Sequence, residues 1–200
     1  MAEWSDWYRR EDPTGWVLPR ILRERAEAHP ERPYYRFGGG EWISYGEMSS
    51  RTNRVANAMR RRGQGPGDVV STLLFNMEPH LEIWFGIQAA GATQCPINTA
   101  YRGDFLSWAI NLPRARMLVV GSEHLHDLDQ IVDELPLLEH VVVVHGTHRD
   151  GPDPRRSWET YEEFLDGVDD RDPGVDVSWT DDACFAPPLR TAQLSPSRTT

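Results

Sequence analysis

Histidine is the residue type best suited to metal binding or acid–base chemistry, and the sequence contains two close pairs of it. His124 and His126 flank Leu125, and His145 and His148 lie on either side of a predicted turn. Neither pair has the four-residue spacing of ligands on one helix face, nor a third ligand at a recognisable distance. The favoured interpretation is therefore surface or helix-start histidines. His124 and His126 stay open as a candidate site, because they follow the carboxyl end of a predicted strand.

A run of three arginines, residues 60–62, raises the possibility of phosphate binding. No aromatic or glycine-rich segment is placed beside the run to help hold a nucleotide. Cations at the last turn of a helix also oppose the negative end of the helix dipole. We therefore interpret the run as a solvated helix end.

The loop at residues 98–102 follows a predicted core strand, a position that often carries function. Its last residue, Arg102, is two residues before Asp104. The spacing favours an arginine that braces the next helix through Asp104 over one that binds a substrate.

Composition bounds the classes of protein that remain. The chain has 200 residues, 39% of them apolar, and eight tryptophans, which is enough for one folded core. A net charge of −10 argues against nucleic acid or an anionic membrane as the main partner. Cys95 and Cys184 are too few for a disulfide framework or a zinc site. The sequence shows no signal-peptide pattern and no apolar run of membrane length, so a cytoplasmic location is expected.

Residues 150–182 are strongly acidic, with twelve Asp or Glu against three arginines. The segment has no calcium-loop spacing, and such runs are usually solvated surface. Within it, Trp158 to Leu165 is predicted to form one short helix. The remainder is predicted to be a surface loop.

The chain is organised around residues 65–98. Val69 to Phe75 is a mostly apolar run bounded by turn residues, which predicts a buried strand. Asn76 is the expected cap of a helix on which Trp84 and Phe85 should be largely buried. Gly91 is placed to end that helix. Thr93 to Ile97 is a second predicted strand, so the segment forms a right-handed βαβ crossover.

The flanking segments extend this pattern. A helix with Pro19 at its start is predicted, then a β-hairpin over residues 34–44, then a helix that begins with a capping box of Ser44 and Glu47. Further helices and strands alternate as far as Val144. The predicted class is α/β, a partial doubly wound parallel sheet with flanking helices and an amino-terminal β-hairpin.

Several quoted segments carry a resemblance to a known family. They are GDVVSTLLFN, GATQCPIN, ISYGEMSSRTNRVANAMRRRG and NTAYRGDFLSWAINLPRARMLVV. Together they resemble the amino-terminal part of the ATP-dependent, AMP-forming acyl-CoA synthetases, with the strongest likeness to carnitine/crotonobetaine-CoA and fatty-acyl-CoA ligases. The likeness implies that residues 1–185 form the amino-terminal part of the large AMP-binding (adenylation) domain. Residues 186–200 have no counterpart there and are predicted to be a disordered tail.

The resemblance also implies a reaction, in which a carboxylic acid, ATP and coenzyme A give an acyl-CoA, AMP and pyrophosphate with the help of Mg²⁺. In that family a strand leads into a glycine- and hydroxyl-rich phosphate loop that contains a lysine. Thr180 to Phe185 matches the lead-in, but the loop does not follow, and all 21 basic residues are arginines. No residue is therefore assigned a catalytic, cofactor-binding or metal-binding role, and the chain alone is expected to be inactive. A frameshift, a truncation and a natural terminus all stay open as explanations.

Two other hypotheses come from different classes of protein. The first is a non-catalytic interaction or decayed module, whose exposed core surface would be covered by self-association or by a partner. The second is a free-standing flavodoxin-like nucleotide binder. The absence of a G-x-G-x-x-G or P-loop sequence at any strand-to-helix turn argues against this second hypothesis.

Overall fold

A computed structural model describes residues 13–145 and 156–186 of the chain. The predicted helix with Pro19 at its start, the hairpin and the alternating strands and helices are all present. A short 3₁₀ turn, Pro13–Trp16, precedes them. The helices are α1 (Leu18–Ala28), α2 (Tyr45–Arg61), α3 (Glu78–Ala89), α4 (Gly103–Asn111), α5 (Leu125–Ile131) and α6 (Tyr161–Leu165); the strands are β1 (Pro33–Tyr35), β2 (Ile43–Ser44), β3 (Val69–Leu73), β4 (Thr93–Pro96), β5 (Met117–Gly121), β6 (His140–Val144) and β7 (Ser157–Thr160).

Five strands form one parallel sheet in the order β4-β3-β5-β6-β7, and β1 and β2 form a separate antiparallel pair. The predicted βαβ crossover is confirmed, because β3 and β4 pair in parallel on either side of α3. Helices cover both faces of the sheet, which is why β5 and β6 consist almost entirely of buried apolar residues. The α/β fold class predicted from the sequence is therefore confirmed.

The crossover helix begins one residue later than predicted. Met77, not Asn76, is the N-cap of α3, and no side chain caps this helix. Pro79 lies in the first turn, where its missing N–H breaks no helical hydrogen bond, and Glu78 opposes the positive end of the helix dipole. The helix ends as predicted before Gly91, whose φ of 81° is a left-handed conformation that favours glycine.

The sheet separates two apolar cores. One core lies between the sheet and helices α2, α3 and α6, and the other lies between the sheet and helices α4 and α5. A third, smaller cluster joins α1 and the hairpin to the outer side of α3. All of the residues predicted to line one face of α2 are buried, namely Met48, Thr52, Val55, Ala56 and Met59.

Helices α2 and α3 pack closely. A Cβ atom at Gly86 would lie 2.4 Å from the side chain of Val55, so this position requires glycine for the two helices to meet. The predicted capping box is present at the start of α2. The Ser44 hydroxyl accepts a hydrogen bond from the Glu47 backbone N–H, and the Glu47 carboxylate accepts one from the Ser44 backbone N–H. Local sequence and tertiary packing therefore agree on where α2 begins.

The prediction of one helix over residues 158–165 is wrong. Ser157–Thr160 forms β7, which pairs in parallel with β6, and only Tyr161–Leu165 is helical. Trp158 is buried in the core beneath α4 and α5. A second capping box, formed by Thr160 and Glu163, starts α6. The strand forms because Trp158 gains more by burial against β6 than by continuing a short helix.

The interpretation of residues 60–62 as a solvated helix end is also wrong in part. Arg60 and Arg61 are exposed, but the Arg62 guanidinium pairs with the Glu159 carboxylate on β7. Its central carbon lies 4.4 Å from the ring centroid of Phe164, a cation–π contact. Arg62 therefore fastens the end of α2 to β7 and α6.

Residues 166–182, which we call the strap, run from α6 to the far edge of the sheet. They contain no helix or strand, as the sequence predicts for most of the acidic segment. Polar side chains of α2 hold the strap: Asn57 donates to the carbonyls of Asp169 and Arg171, and Asn53 donates to that of Asp170. The strap is therefore a fixed surface element rather than only a solvated face.

Candidate functional site

The order of the strands defines one special position at the carboxyl edge of the sheet. From β3 the chain passes to β4 on one side, and then crosses back to β5 on the other side of β3. Open α/β sheets bind ligands where the direction of winding reverses in this way, outside the carboxyl ends of the two central strands. Here that position lies between the end of β3 and the end of β5.

Four residues occupy this position, and we call them the switch-point cluster: Phe75, Ser122, Glu123 and His124. The ring centroids of Phe75, just after β3, and His124, just after β5, are 4.8 Å apart. Phe75 is 50% exposed, whereas His124 is only 2% exposed. The two segments that flank the reversal are therefore joined by direct contact between their side chains.

The sequence interpretation of His124 as a surface residue is wrong, because its side chain is buried. It does lie at a helix start, in the 3₁₀ turn that precedes α5. Burial lowers the pKa of the imidazole, and the neighbouring Glu123 carboxylate opposes that effect only in part. Within the described residues its Nε2 has no hydrogen-bond partner, and Glu123 Oε1 lies 3.9 Å away. The structure therefore favours a neutral imidazole there.

The other two members of the cluster depend on the local backbone. The Glu123 carboxylate folds back over Gly121, where a Cβ atom would approach its Oε1 to 2.5 Å. The Ser122 hydroxyl donates to the carbonyl of His145, at the end of the neighbouring β6. Gly121 leaves room for the carboxylate in this position, and a side chain there would require the Glu123 carboxylate to move.

The remaining predicted histidines do not join the cluster. His126 is exposed and contacts Gln130 on its own helix. His145 is exposed, and His148 lies outside the described residues. Among residues 13–145 and 156–186, no group of three His, Cys, Asp or Glu side chains could hold a metal ion.

Arg102 braces a helix, but not through the predicted partner. Its guanidinium donates to the carbonyls of Thr99 and Tyr101 and pairs with Asp127 on α5 at 3.1 Å. Asp104 is not its partner. Arg102 therefore links the loop after β4 to the helix that follows the switch-point cluster.

The segment matching the family's lead-in lies at the free edge of β4. The Gln94 N–H donates to the Ala183 carbonyl at 3.2 Å, and the Phe185 N–H donates to the Gln94 carbonyl at 2.8 Å. The bridge between Gln94 and Cys184 is parallel. Because parallel strands end at the same edge, this segment leads toward the edge that holds the switch-point cluster.

A neutral imidazole, an aromatic face and a carboxylate can bind and orient a ligand, but they do not constitute a complete reaction centre. Cys95, the buried thiol, has a pKa raised by burial to about 12, so it is a poor nucleophile. Within the described residues the carboxyl edge offers no glycine-rich turn and no lysine for a triphosphate. The cluster is therefore a candidate binding surface rather than a reaction centre.

Comparison with known families identifies the class of protein. The family model described as "AMP-binding enzyme" matches residues 22–186. The chain belongs to this family. The family assignment rests on most of the chain, and it confirms the resemblance seen in the sequence.

Curated relatives are much longer than this chain. Human long-chain fatty acid transport protein 1 is 30% identical over 116 residues, which are 58% of this chain and 18% of that protein. Probable acyl-activating enzyme 21 of Arabidopsis thaliana is 28% identical over 142 residues, which are 68% of this chain and 26% of that protein. The chain therefore spans about a fifth to a quarter of the length of these relatives.

Solved structures show the same fold. The anthranilate CoA ligase AuaEII superposes with a TM-score of 0.71 at 22% identity, over 82% of this chain and 30% of that one. A fatty acyl CoA synthetase of Mycobacterium tuberculosis superposes with a TM-score of 0.69 at 19% identity, over 88% of this chain and 33% of that one. In the part of the chain that the structure describes, no helix is both long and apolar enough to cross a membrane.

Proposed function

We propose that this chain supplies the amino-terminal part of the adenylating domain of an acyl-CoA ligase. The whole enzyme would convert a carboxylic acid, ATP and coenzyme A into an acyl-CoA, AMP and pyrophosphate. The observation that carries the proposal is that residues 183–185 pair in parallel with β4. The chain in which they do so belongs to the AMP-binding family. A phosphate loop that followed these residues would lie at the carboxyl edge of the sheet.

The described residues do not fit ATP and Mg²⁺ by themselves. A triphosphate needs backbone amides, cations and a metal arranged in advance around its charge. The carboxyl edge instead presents the carboxylate of Glu123, and Arg102 is already engaged by Asp127. We therefore derive no catalytic step for this chain, and propose that it does not form acyl-adenylates alone.

A pyrophosphate-exchange assay tests this proposal. The purified chain is incubated with ATP, labelled pyrophosphate and carboxylic acids of short, medium and long chain length. We expect no exchange above a no-enzyme control. Exchange that persists through repurification would show that the chemistry resides in this chain. Exchange that appears only after addition of a downstream ligase segment would support the proposed role directly.

A second candidate is a non-catalytic module that associates with itself or a partner. Exposed large apolar side chains favour it, including Phe75 at the switch point and Phe185 beside β4. Light scattering across a concentration series tests whether the chain is such a self-associating module. A concentration-dependent dimer that Phe185→Ser returns to monomer supports the module, whereas a monomer at every concentration argues against self-association. The cytoplasmic location stays a prediction.

A further inference from the structure

A second feature lies at the amino edge of the sheet, opposite the switch-point cluster. It is a pocket of about 200 Å³ between the start of α1, the end of α3 and the last part of the strap. Gly91 and Ala92, which precede β4, form its floor on the sheet side. We call it the Trp16–Trp179 pocket, after the two indoles in its lining.

Both indoles are unusually exposed for their size. Trp16 is 51% exposed and Trp179 is 56% exposed. Trp179 is held by a tight turn, in which the Asp181 carboxylate accepts from the Ser178 N–H at 2.8 Å and the Asp181 N–H donates to the Ser178 carbonyl. The backbone that carries this indole is therefore ordered by hydrogen bonds within its own turn.

The charge of the pocket has one sign. Asp181 and Asp182 are in the lining, and no arginine is among the described lining residues. The carboxylate of Asp181 is used within the turn, whereas the Asp182 side chain is exposed. The chain as a whole carries a net charge of −10, which adds a long-range attraction for cations.

We propose that the Trp16–Trp179 pocket binds a small organic cation with a quaternary ammonium group. Indole faces attract such cations through the ring quadrupole, and a nearby carboxylate strengthens the attraction. A methylated ammonium also suits the apolar floor better than a hydrated inorganic ion, because it does not need to keep a water shell. This inference is independent of the proposed ligase function, since the pocket lies at the opposite edge of the sheet.

Calorimetric titration of the full chain with choline tests the proposal, with 3,3-dimethylbutan-1-ol as a neutral probe of the same shape. We expect choline to bind and the neutral alcohol to bind at least about threefold more weakly. Trp179→Ala should weaken choline binding by about two- to fivefold, which is the contribution expected of one exposed cation–π contact. Asp182→Asn should weaken it as well, and added sodium chloride should have the same effect.

Two matched variants serve as controls. Trp42→Ala removes an equally exposed indole, 55% exposed, that lies in the hairpin and outside the pocket. Asp176→Asn removes an exposed strap carboxylate that is not in the lining. Both should bind choline like the unchanged chain. No choline binding, equal binding of the neutral alcohol, or equal effects of the pocket and control variants would each overturn the proposal.

Discussion

At the scale of single residues, neighbouring aromatics on α3 have different environments. Phe85 is 5% exposed, as predicted, and packs against α1 and α2 in the third apolar cluster. Trp84 is partly buried and packs against the same cluster, so neither aromatic is solvent-exposed, and the predicted burial is more complete at Phe85 than at Trp84. The two rings also contact each other edge to face, with their centroids 5.5 Å apart.

Phe85→Ala should therefore lower the free energy of unfolding by about 3–5 kcal/mol, because it leaves a cavity that the packed helices cannot close. Trp84→Ala should cost less, since part of its ring already contacts water. Urea unfolding followed by far-UV circular dichroism measures both changes. Phe37→Ala is the matched control, since Phe37 is exposed in the hairpin. An equal cost at Phe37 and Phe85 would contradict the packing described here.

His124 should make stability depend on pH. Burial lowers its folded-state pKa below the ordinary 6.5, so the unfolded chain binds a proton first as the pH falls. The contribution of the neutral His124 to the free energy of unfolding should therefore be fully present above about pH 6.5 and should decrease below that value. His124→Gln should flatten part of this decrease. The rest should remain, because burial also lowers the pKa of His140.

Urea unfolding at several pH values between about 5.5 and 7.5 measures this dependence. Three charged neighbours, Glu123, Arg102 and Asp127, act on His124 in the folded chain. His126→Gln is the control, since His126 is exposed near the same helix start. If His124→Gln and His126→Gln gave the same pH profile, the buried imidazole would not be the source of the dependence.

At the scale of elements, α2 and β7 depend on one another through Arg62. Its guanidinium pairs with Glu159, donates to the Ala58 carbonyl and lies over the ring of Phe164. Arg62→Ala should lower the free energy of unfolding by about 1–3 kcal/mol, because it leaves a partly buried carboxylate without its cation. Thermal and urea unfolding measure the change.

Arg60→Ala provides the comparison for this prediction, because Arg60 is an exposed arginine two residues earlier on the same helix. It should change stability by less than about 0.5 kcal/mol. Glu159→Gln should cost less than Arg62→Ala, since an amide can still accept a hydrogen bond from the guanidinium. Similar costs for Arg60→Ala and Arg62→Ala would show that the pair contributes nothing to stability.

At the scale of the whole molecule, the strap carries the chain around α2 to the far edge of the sheet. Its end pairs with β4 through the two hydrogen bonds of Gln94. Residues 186–200 are predicted to form a disordered tail. All of them except Ala186 lie outside the described residues. The disordered tail stays a prediction, supported by three prolines and few large apolar residues.

Two truncations test where the folded body ends. A chain that stops at Ala186 should keep the circular dichroism spectrum and thermal midpoint of the full chain. A chain that stops at Asp182 loses both hydrogen bonds to Gln94, which should cost about 1–3 kcal/mol. For a protein of this size that corresponds to a midpoint lower by about 2–4 °C for each kcal/mol. A large drop on removing residues 187–200 would place them in the folded body.

The sequence by itself determined the elements and the family. Apolar periodicity, the capping box at Ser44 and the turn at Gly91 are local signals, and each depends on residues only a few positions apart. The same local signals predict the βαβ unit, whereas the AMP-binding resemblance rests on longer segments such as GDVVSTLLFN and GATQCPIN. The error at residues 158–165 arose because Trp158 is compatible locally with a helix, and only the edge of β6 makes it a strand.

Only the tertiary structure decided the order of the strands beyond the predicted βαβ unit. The order β4-β3-β5 brings Phe75 and His124 together, although they are far apart in sequence, and it defines the switch-point cluster. The strap likewise brings Trp179 beside Trp16 to form the pocket at the other edge. Pairing order depends on how whole layers pack against each other, a long-range property that no local spacing of residues encodes.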